Sequence, residues 1–443
     1  MLELWYRCFL RLITRVYFAR LTLLHPERRP RSPAEPEIRN PKLENKSELP
    51  GMGQWTNGKP RRFFAGCEQS RLLQYKGQPV LYLGLHRNGA VDGFVYYRLL
   101  DEPVFLISTQ LTRGWFARLF FHGIALARKK DDGDRQENEA ALGRCVEHLQ
   151  TGGALFVFPE GTSSLGPRHL PFKNGAAWLI LDYLERGGPP LQVIPVGIHY
   201  ECPWAFRSKV EVVLGSPLST EFAPGGTRLE RLKELKRRIA CGLEEVGINV
   251  ESAEQQDRIQ RLAYAATLAT PRSYFQSLKS LEGGVPKAVE EAETSLEADR
   301  AGNRLRFHQG VPLMPMSPIW VYALALLAFA PMVGAALLLN LPPFLAAWFA
   351  GWKLPDGRNV ISLWKILVGI PLFALWAAAV SLVLLLQGRL LWLGLYAVVT
   401  WLGLQLYYRV KKLAVAVYNG LRCPQLKPRL LAFRQTVLKA LPE

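Results

Sequence analysis

The sequence lacks the cysteine patterns that mark zinc sites and disulfide frameworks. Its six cysteines are scattered over 443 residues, and none forms a Cys-x-x-Cys pair. This spacing argues against a zinc site and favours free thiols in a reducing cytosol. The sequence also has no internal repeat and no Gly-x-Ser-x-Gly pattern. The missing pattern argues against a serine esterase or lipase, because those enzymes carry their nucleophile on such a turn.

Acidic residues are in the minority. The chain has 55 Lys and Arg against 37 Asp and Glu, which gives a formal charge of +18. Such an excess suits nucleic acid, an anionic membrane surface or anionic substrates. No RNA- or DNA-binding motif is visible, and apolar residues dominate between Pro318 and Tyr408. The composition therefore favours a membrane and phosphate-bearing ligands over nucleic acid.

The N-terminal residues have neither the cleavage site of a signal peptide nor an uninterrupted apolar run. Arg7, Arg11 and Arg15 follow one another at four-residue spacing, so they share one face of a helix. This pattern predicts an interfacial amphipathic helix over residues 1–25, with its arginines at the lipid headgroups. A helix that packs on a protein core is the alternative. Residues 26–60 are rich in proline and charge and are predicted to be a linker.

Short apolar runs alternate with helical patterns between Gln78 and about Ser219. The predicted strands lie at 80–85, 104–108, 154–158 and 193–198, and helical stretches lie between some of them. The alternation predicts an α/β domain, which we assign to residues 61–225. Residues 226–312 are charged and helical in pattern. They are predicted to form a helical arm that caps the domain or lies near the membrane, or a solvated arm.

Apolar runs and basic clusters alternate in the C-terminal part of the chain. Within residues 313–412, three apolar runs are near spanning length, and a fourth, ending at Trp352, is shorter. Basic residues flank both apolar blocks. This arrangement predicts transmembrane hairpins, the first partly re-entrant, with the α/β domain on the cytoplasmic face. Residues 413–443 are predicted to be a basic cytoplasmic tail.

The stretch LGLHRNGAVDG brings a histidine and an aspartate to one strand-to-helix turn. A predicted strand ends at Leu85, His86 follows at once, and Asp92 comes six residues after His86. A carboxylate that accepts from one ring nitrogen holds the tautomer of a histidine, so that the other nitrogen can take a proton. The pattern therefore predicts a general base. The alternative is an aspartate helix cap beside an unrelated histidine.

Polar residues also follow later predicted elements. FPEGTSS at 158–164 comes directly after a strand and offers backbone N–H groups, hydroxyls and the carboxylate of Glu160 to a polar ligand. PFKNGAA brings Lys173 to a helix start, and Arg128 ends a short apolar run. An arginine there could bind a phosphate through two hydrogen bonds. Each of these loops alone is also typical of a solvated turn.

In chain order, the turn of His86 and Asp92, the run HGIALAR that ends at Arg128, FPEGT and VIPVG resemble the four sequence blocks of the glycerolipid acyltransferase family. The resemblance covers about Gln78 to Ser219, a third of the chain. The family's usual first block has four residues between histidine and aspartate, whereas this chain has five. The form HxNxxxD, together with FPEG followed by LPFKxGAA, is similar to the glycerol-3-phosphate and dihydroxyacetone-phosphate acyltransferase branch.

The resemblance implies an α/β acyltransferase fold and a role for each matching residue. His86 would remove a proton from the acceptor hydroxyl as it attacks a thioester, and Asp92 would orient His86. The expected acceptor-binding residues are Arg128, Glu160, Gly161, Thr162 and Lys173. No metal, cofactor or covalent acyl-enzyme is implied.

The implied partners are membrane lipids, an acyl-CoA or acyl carrier protein donor and a phosphorylated glycerol acceptor, without nucleic acid. Three alternatives share part of this pattern. They are a lysophospholipid acyltransferase that remodels phospholipids, a transacylase, and a non-catalytic membrane scaffold.

Overall fold

Strands and helices alternate through the first half of the chain, and helices alone fill most of the second. The computed structural model describes residues 2–30, 78–100, 102–112, 114, 117–127, 135–268, 272–302 and 305–441. The strands are β1 (Arg20–Leu24), β2 (Val80–Gly84), β3 (Val104–Ser108), β4 (Ile124–Leu126), β5 (Ala154–Val157), β6 (Gln192–Tyr200), β7 (Lys209–Leu214), β8 (Phe307–His308) and β9 (Val311–Pro312).

The helices are of three kinds by position. Those of the α/β domain are α1 (Leu2–Tyr17), α2 (Val91–Leu99), α3 (Ala117–Phe120), α4 (Arg135–Gln150) and α5 (Gly175–Glu185). The arm contains α6 (Arg228–Val246), α7 (Ala253–Thr267), α8 (Tyr274–Glu282) and α9 (Lys287–Gly302). The C-terminal helices are α10 (Ile319–Leu339), α11 (Leu341–Lys353), α12 (Ile361–Leu386), α13 (Leu390–Arg422) and α14 (Lys427–Ala440).

The central sheet is mixed, with strand order β1-β7-β6-β2-β5-β3-β4. Strands β6 and β7 run antiparallel, and the other neighbouring strands run parallel. β2 lies in the middle, and all its residues are buried, as expected for a strand covered on both faces. Because β2, β3, β4 and β5 are parallel, the loops that follow them leave from the same edge of the sheet. The predicted α/β fold is confirmed.

Side chains that alternate along β2 belong to two separate cores. Tyr82 packs with residues of α1 and α2, whereas Leu81 and Leu83 pack with residues of α4, α5 and α6. Successive side chains of a strand point to opposite faces, so one apolar strand can hold both layers of helices. This position fixes the end of β2, and with it the turn that follows.

The N-terminal segment differs from its prediction. The helix ends at Tyr17, and Arg20–Leu24 forms the edge strand β1, so a single helix over residues 1–25 is wrong. The run RLTLL satisfies its backbone groups by pairing with β7. Leu10 and Ile13 of α1 are buried in the domain core, while Trp5 is exposed. One face of α1 therefore packs on the core of the α/β domain, as in the alternative given above. Binding of α1 to a membrane surface stays a prediction.

Three of the described helices are long and apolar enough to cross a membrane, namely α10, α12 with its preceding turn, and α13. The prediction of C-terminal transmembrane helices is confirmed in this sense. α11 has 13 residues, which at 1.5 Å per residue span about 20 Å, less than a hydrocarbon core of about 30 Å. The two predicted hairpins, α10 with α11 and α12 with α13, are not the main packing pairs, because α10 packs mainly on α13 and α11 packs mainly on α12.

The predicted basic tail is a docked part of the arm. α13 continues past residue 412 to Arg422, and α14 packs against α7 and α9. Val437 and Leu441 are buried there, in the same apolar cluster as residues of α7. Apolar residues spaced along the basic sequence give α14 a face that packs on the arm.

Both apolar blocks begin and end next to the globular part of the protein. Asn359, between α11 and α12, donates to the Ser163 hydroxyl in the α/β domain at 2.7 Å. Asn419, near the end of α13, accepts a hydrogen bond from the Arg306 backbone in the arm at 2.8 Å. Each block therefore leaves the globular part and returns to it.

We expect the C-terminus and the α/β domain to lie on the same side of the membrane. A reporter fused after Glu443 and another inserted near Lys46 should both be accessible from one side and protected from the other. A reporter inserted at Gln387, between α12 and α13, serves as the opposite-side control. Signals from opposite sides for the two ends would contradict this arrangement.

Candidate functional site

The turn after β2 brings a histidine and an aspartate into contact. His86 Nδ1 lies 2.9 Å from Asp92 Oδ2. α2 begins at Val91, so Asp92 lies inside its first turn and Ala90 holds the cap position. The reading of the aspartate as a helix cap is therefore wrong. Gly89 has φ +55°, a left-handed conformation that favours glycine, and it allows the turn to close over five intervening residues.

Asp92 is fully buried and accepts hydrogen bonds from four donors. The backbone N–H groups of Arg87 and Asn88 donate to Oδ2 at 2.6 Å and 2.8 Å, and the Tyr200 hydroxyl donates to Oδ1 at 2.6 Å. Burial and the neighbouring carboxylate raise the pKa of Tyr200 well above its ordinary value, so this hydroxyl stays a donor. The fourth donor is His86 Nδ1–H, because a carboxylate can only accept. That tautomer leaves Nε2 of His86 free to take a proton.

The ring of His86 is held on its face as well as at Nδ1. It stacks on Phe158 with ring centroids 4.1 Å apart. Its side chain is 12% exposed, so the imidazole is enclosed but still accessible. A base held in this way loses little freedom when a substrate binds, which is what proton transfer in a transition state requires.

Glu160 joins the FPEGT loop to the histidine turn. Its Oε1 accepts from the backbone N–H of His86 at 2.9 Å, and its Oε2 accepts from that of Leu170 at 3.2 Å. Burial raises the pKa of Glu160, although these two hydrogen bonds and nearby positive charges act against the increase. Since both oxygens are engaged inside the protein, the geometry supports a positioning role. Direct contact of Glu160 with the acceptor stays a prediction.

Gly161, Thr162 and Lys173 lie around the opening of α5. Gly161 has φ +69°, and a Cβ at this position would collide with the ammonium end of Lys173. The Lys173 side chain therefore lies directly over Gly161, and both Thr162 and Lys173 are exposed. Asn174 occupies the cap position at the start of α5. Within the described part of the chain, its side chain accepts no hydrogen bond from the first backbone N–H groups of this helix. Uncapped N–H groups beside an ammonium favour an anion such as phosphate.

Arg128 lies outside the described residues. Its predecessor Ala127 follows β4, which pairs in parallel with β3. The backbone N–H of Ala127 is held by the Asn138 side chain at 2.9 Å. Ala127, the last described residue before Arg128, therefore lies at the edge of the sheet from which His86 and Glu160 also emerge. The role of Arg128 in binding phosphate stays a prediction.

Three contacts of the site were not predicted from the sequence. Tyr200 reaches Asp92 from the end of β6, and Arg87 donates to the Gly166 carbonyl at 2.7 Å. Asn359 belongs to the connection between α11 and α12. The carbonyl oxygen of Asn359 lies so close to Gly89 that a Cβ added to this glycine would be 3.0 Å from it. Tyr200 lies two residues beyond the predicted strand 193–198, so the sequence pattern did not identify any of these three contacts. The connection between α11 and α12 therefore lies against the histidine turn.

We expect Asn359→Ala to lower kcat by about two- to tenfold, because the loss of one hydrogen bond of about 0.5–1.5 kcal/mol loosens the contact with Ser163. Steady-state kinetics in detergent or nanodiscs would measure the change. Gln387→Ala is the matched control, since it removes an exposed amide at the other end of α12. Equal kinetics for the two variants would show that this connection does not support the site.

Comparisons with known proteins find similarity over part of this chain. Residues 65–199 match the family model described as Acyltransferase. An uncharacterised acyltransferase of Schizosaccharomyces pombe is 39% identical over 95 residues, covering 21% of this chain and 13% of the yeast protein. Two Saccharomyces cerevisiae proteins, glycerol-3-phosphate O-acyltransferases 1 and 2, are 29% and 28% identical over 118 and 144 residues, which cover 25% and 31% of this chain.

The matched regions cover 16% and 19% of those two proteins, so the chain spans less than a fifth of the length of its curated relatives. Among solved structures, the 1-acyl-sn-glycerophosphate acyltransferase of Thermotoga maritima aligns with 17% identity and a TM-score of 0.33. That alignment covers 55% of this chain and 78% of the other.

Proposed function

We propose that the chain, whose residues 65–199 match the family model described as Acyltransferase, acylates glycerol-3-phosphate or a related (lyso)phosphatidic acid precursor. The acyl donor is acyl-CoA or acyl carrier protein, and the reaction serves phospholipid synthesis. The observation that carries the proposal is the 2.9 Å contact between His86 Nδ1 and Asp92 Oδ2. It supplies a positioned base, which an alcohol needs to attack a thioester.

The reaction follows from the tautomer of the histidine. Nε2 of His86 takes the hydroxyl proton while the acceptor oxygen bonds to the thioester carbonyl carbon. Asp92 stabilises the imidazolium that forms, because its Oδ2 already accepts from Nδ1. The tetrahedral intermediate then expels the thiolate, and the proton on Nε2 passes to the departing sulfur. This route uses no resident cofactor and no covalent acyl-enzyme.

The acceptor phosphate is proposed to bind between the FPEGT loop and the start of α5. Lys173 is the described cation there, and it lies over Gly161. The uncapped N–H groups of α5 add donors at the same place. Arg128 is proposed as the second cation, from its place just beyond β4. The exposed Thr162 adds a hydroxyl at the rim.

The chain is further proposed to be an integral membrane protein with its catalytic domain on the cytoplasmic face. Three apolar helices of spanning length support the membrane location. Basic clusters flank the apolar blocks, and such clusters favour the cytoplasmic side. This side carries the soluble donors and the phosphorylated acceptor that the reaction needs.

Feeding the purified protein with labelled acyl-CoA, acyl carrier protein thioester or phospholipid, each with several acceptors, tests the proposed function. We expect product only with a thioester donor, and most product with a phosphorylated glycerol acceptor. Efficient transfer from a phospholipid without any thioester would instead favour a transacylase. Best activity with a lysophospholipid headgroup larger than phosphate would favour a remodelling enzyme.

We expect Arg128→Ala to raise KM for the phosphorylated acceptor by about ten- to a hundredfold and to change KM for the acyl donor little. A charge-assisted hydrogen bond contributes about 1.5–3 kcal/mol. Arg128→Lys should rescue only part of the loss, because an ammonium lacks the planar fork. Lys130→Ala is the charge-matched control. Indistinguishable kinetics for Arg128→Ala and Lys130→Ala would assign the phosphate to Lys173 and the start of α5.

A further inference from the structure

A cavity of about 420 Å³ lies where the arm and α14 meet the membrane helices α10 and α13. Its walls come from α7, β9, the segment after β9, α10, α13 and α14. It shares no residue with the turn of His86 and Asp92 or with the FPEGT loop. The reaction proposed above makes no use of it.

The walls of the cavity combine apolar side chains with cationic ones. Most of the lining side chains are aliphatic or aromatic, and the charged ones are Arg409, Lys412 and Arg434. Among the described residues that line it, none is acidic. Arg409 and Lys412 follow the apolar part of α13, so they lie near the polar end of that helix, while Phe329 lies farther along α10. The cavity therefore lies where the apolar part of α13 gives way to its basic residues, next to the apolar helix α10.

The cations in this cavity have weak partners. Nε of Arg434 is buried without a described hydrogen-bond partner, and its Nη1 lies 2.7 Å from the thioether of Met316, a weak acceptor. The Lys412 ammonium lies 5.6 Å from the centre of the Tyr408 ring. The nearby carboxylate of Glu201 is already paired with Lys209. Arg434 is partly buried, and a cation without a carboxylate partner among the described residues fits an anionic ligand.

We propose that this cavity binds one anionic phospholipid, with its phosphate against Arg409, Lys412 and Arg434 and an acyl chain along α10. Cations at a membrane boundary attract anionic lipid headgroups, and the apolar walls match an acyl chain. Phe329 lines the cavity and is 37% exposed on the outer surface of α10, which gives the chain a way in from the bilayer. The bound lipid joins the arm to the membrane helices and lies apart from the catalytic turn.

The test measures the melting temperature of the full chain in detergent with added dioleoylphosphatidylglycerol, dioleoylphosphatidylcholine or inorganic phosphate. The anionic lipid should raise the melting temperature of the wild type by about 2 °C or more, and the other two should have little effect. The double variant Arg409→Gln/Lys412→Gln should lose most of this shift. Arg422→Gln, which removes an exposed cation from the same helix outside the cavity, should keep it.

Ala325→Phe gives a second variant that keeps every charge and fills the cavity from α10. It should also lose the shift, and native mass spectrometry should show one retained anionic lipid in the wild type and Arg422→Gln but not in the filled variant. Equal shifts in the wild type and Ala325→Phe would overturn the proposal. A shift of the same size with phosphatidylcholine or with inorganic phosphate would also overturn it, because an anionic phospholipid would then not be the ligand.

Discussion

Replacing His86 with alanine should lower kcat by about 10² to 10⁴ while the protein stays folded and membrane-bound, because the substitution removes the proposed base for the acceptor hydroxyl. The ring makes its contacts at the surface of the site, on Phe158 and Asp92, and it is 12% exposed. Its backbone N–H still donates to Glu160 after the substitution. Melting temperature and detergent extraction would therefore change little, and steady-state kinetics would show the loss.

His25→Ala is the matched control for this prediction. His25 is a partly exposed imidazole that pairs with Glu27 and has no contact with the turn after β2. Its removal should leave kcat unchanged. Activity of His86→Ala within a few-fold of the wild type, in a folded sample, would reject His86 as the base and with it the proposed reaction.

Asp92→Asn should also lower kcat by about 10² to 10⁴ without unfolding the protein. An asparagine oxygen can still accept from His86 and from the backbone N–H groups of Arg87 and Asn88. Its amide would face the Tyr200 hydroxyl, which can rotate to accept. The hydrogen bonds are thus kept, whereas the negative charge that stabilises an imidazolium is lost. Kinetics and thermal unfolding of the same sample would separate the two effects.

Two further variants make the prediction for Asp92 sharper. Asp92→Ala leaves its buried donors unpaired, at about 1–3 kcal/mol each, so it should unfold at a clearly lower temperature than Asp92→Asn. The double variant His86→Ala/Asp92→Asn should be no slower than His86→Ala alone, because the aspartate acts only through the histidine. Multiplied losses in the double variant would mean that Asp92 acts on the reaction independently.

Local patterns were enough to predict the sheet and the turn that brings His86 to Asp92. The strand VLYLG is apolar throughout because both of its faces are covered, and the predicted strand ends only one residue later than β2. His86 and Asp92 are close in the sequence, so their spacing contains most of the information about their contact. Strand order explains why Glu160 meets the same turn, since β5 lies next to β2 and runs parallel to it.

Contacts between distant segments could not be predicted in this way. Tyr200 reaches Asp92 across 108 positions, and Asn359 reaches Ser163 across 196. Neither residue belongs to a motif, and their positions depend on how whole strands and helices pack. The same applies to Arg20–Leu24, which would fit a helix by composition but forms a strand because the edge of β7 is there to pair with.

The central claim is that the turn of His86 and Asp92 catalyses acyl transfer from a thioester to a glycerol phosphate. The most direct measurement is product formation by the purified full chain, given acyl-CoA or acyl carrier protein thioester and labelled glycerol-3-phosphate and followed by mass spectrometry. The account predicts acylated glycerol phosphate from the wild type and almost none from His86→Ala. Similar rates of product formation by the wild type and His86→Ala would contradict the account. So would the absence of product from the wild type with every glycerol phosphate acceptor that is tested.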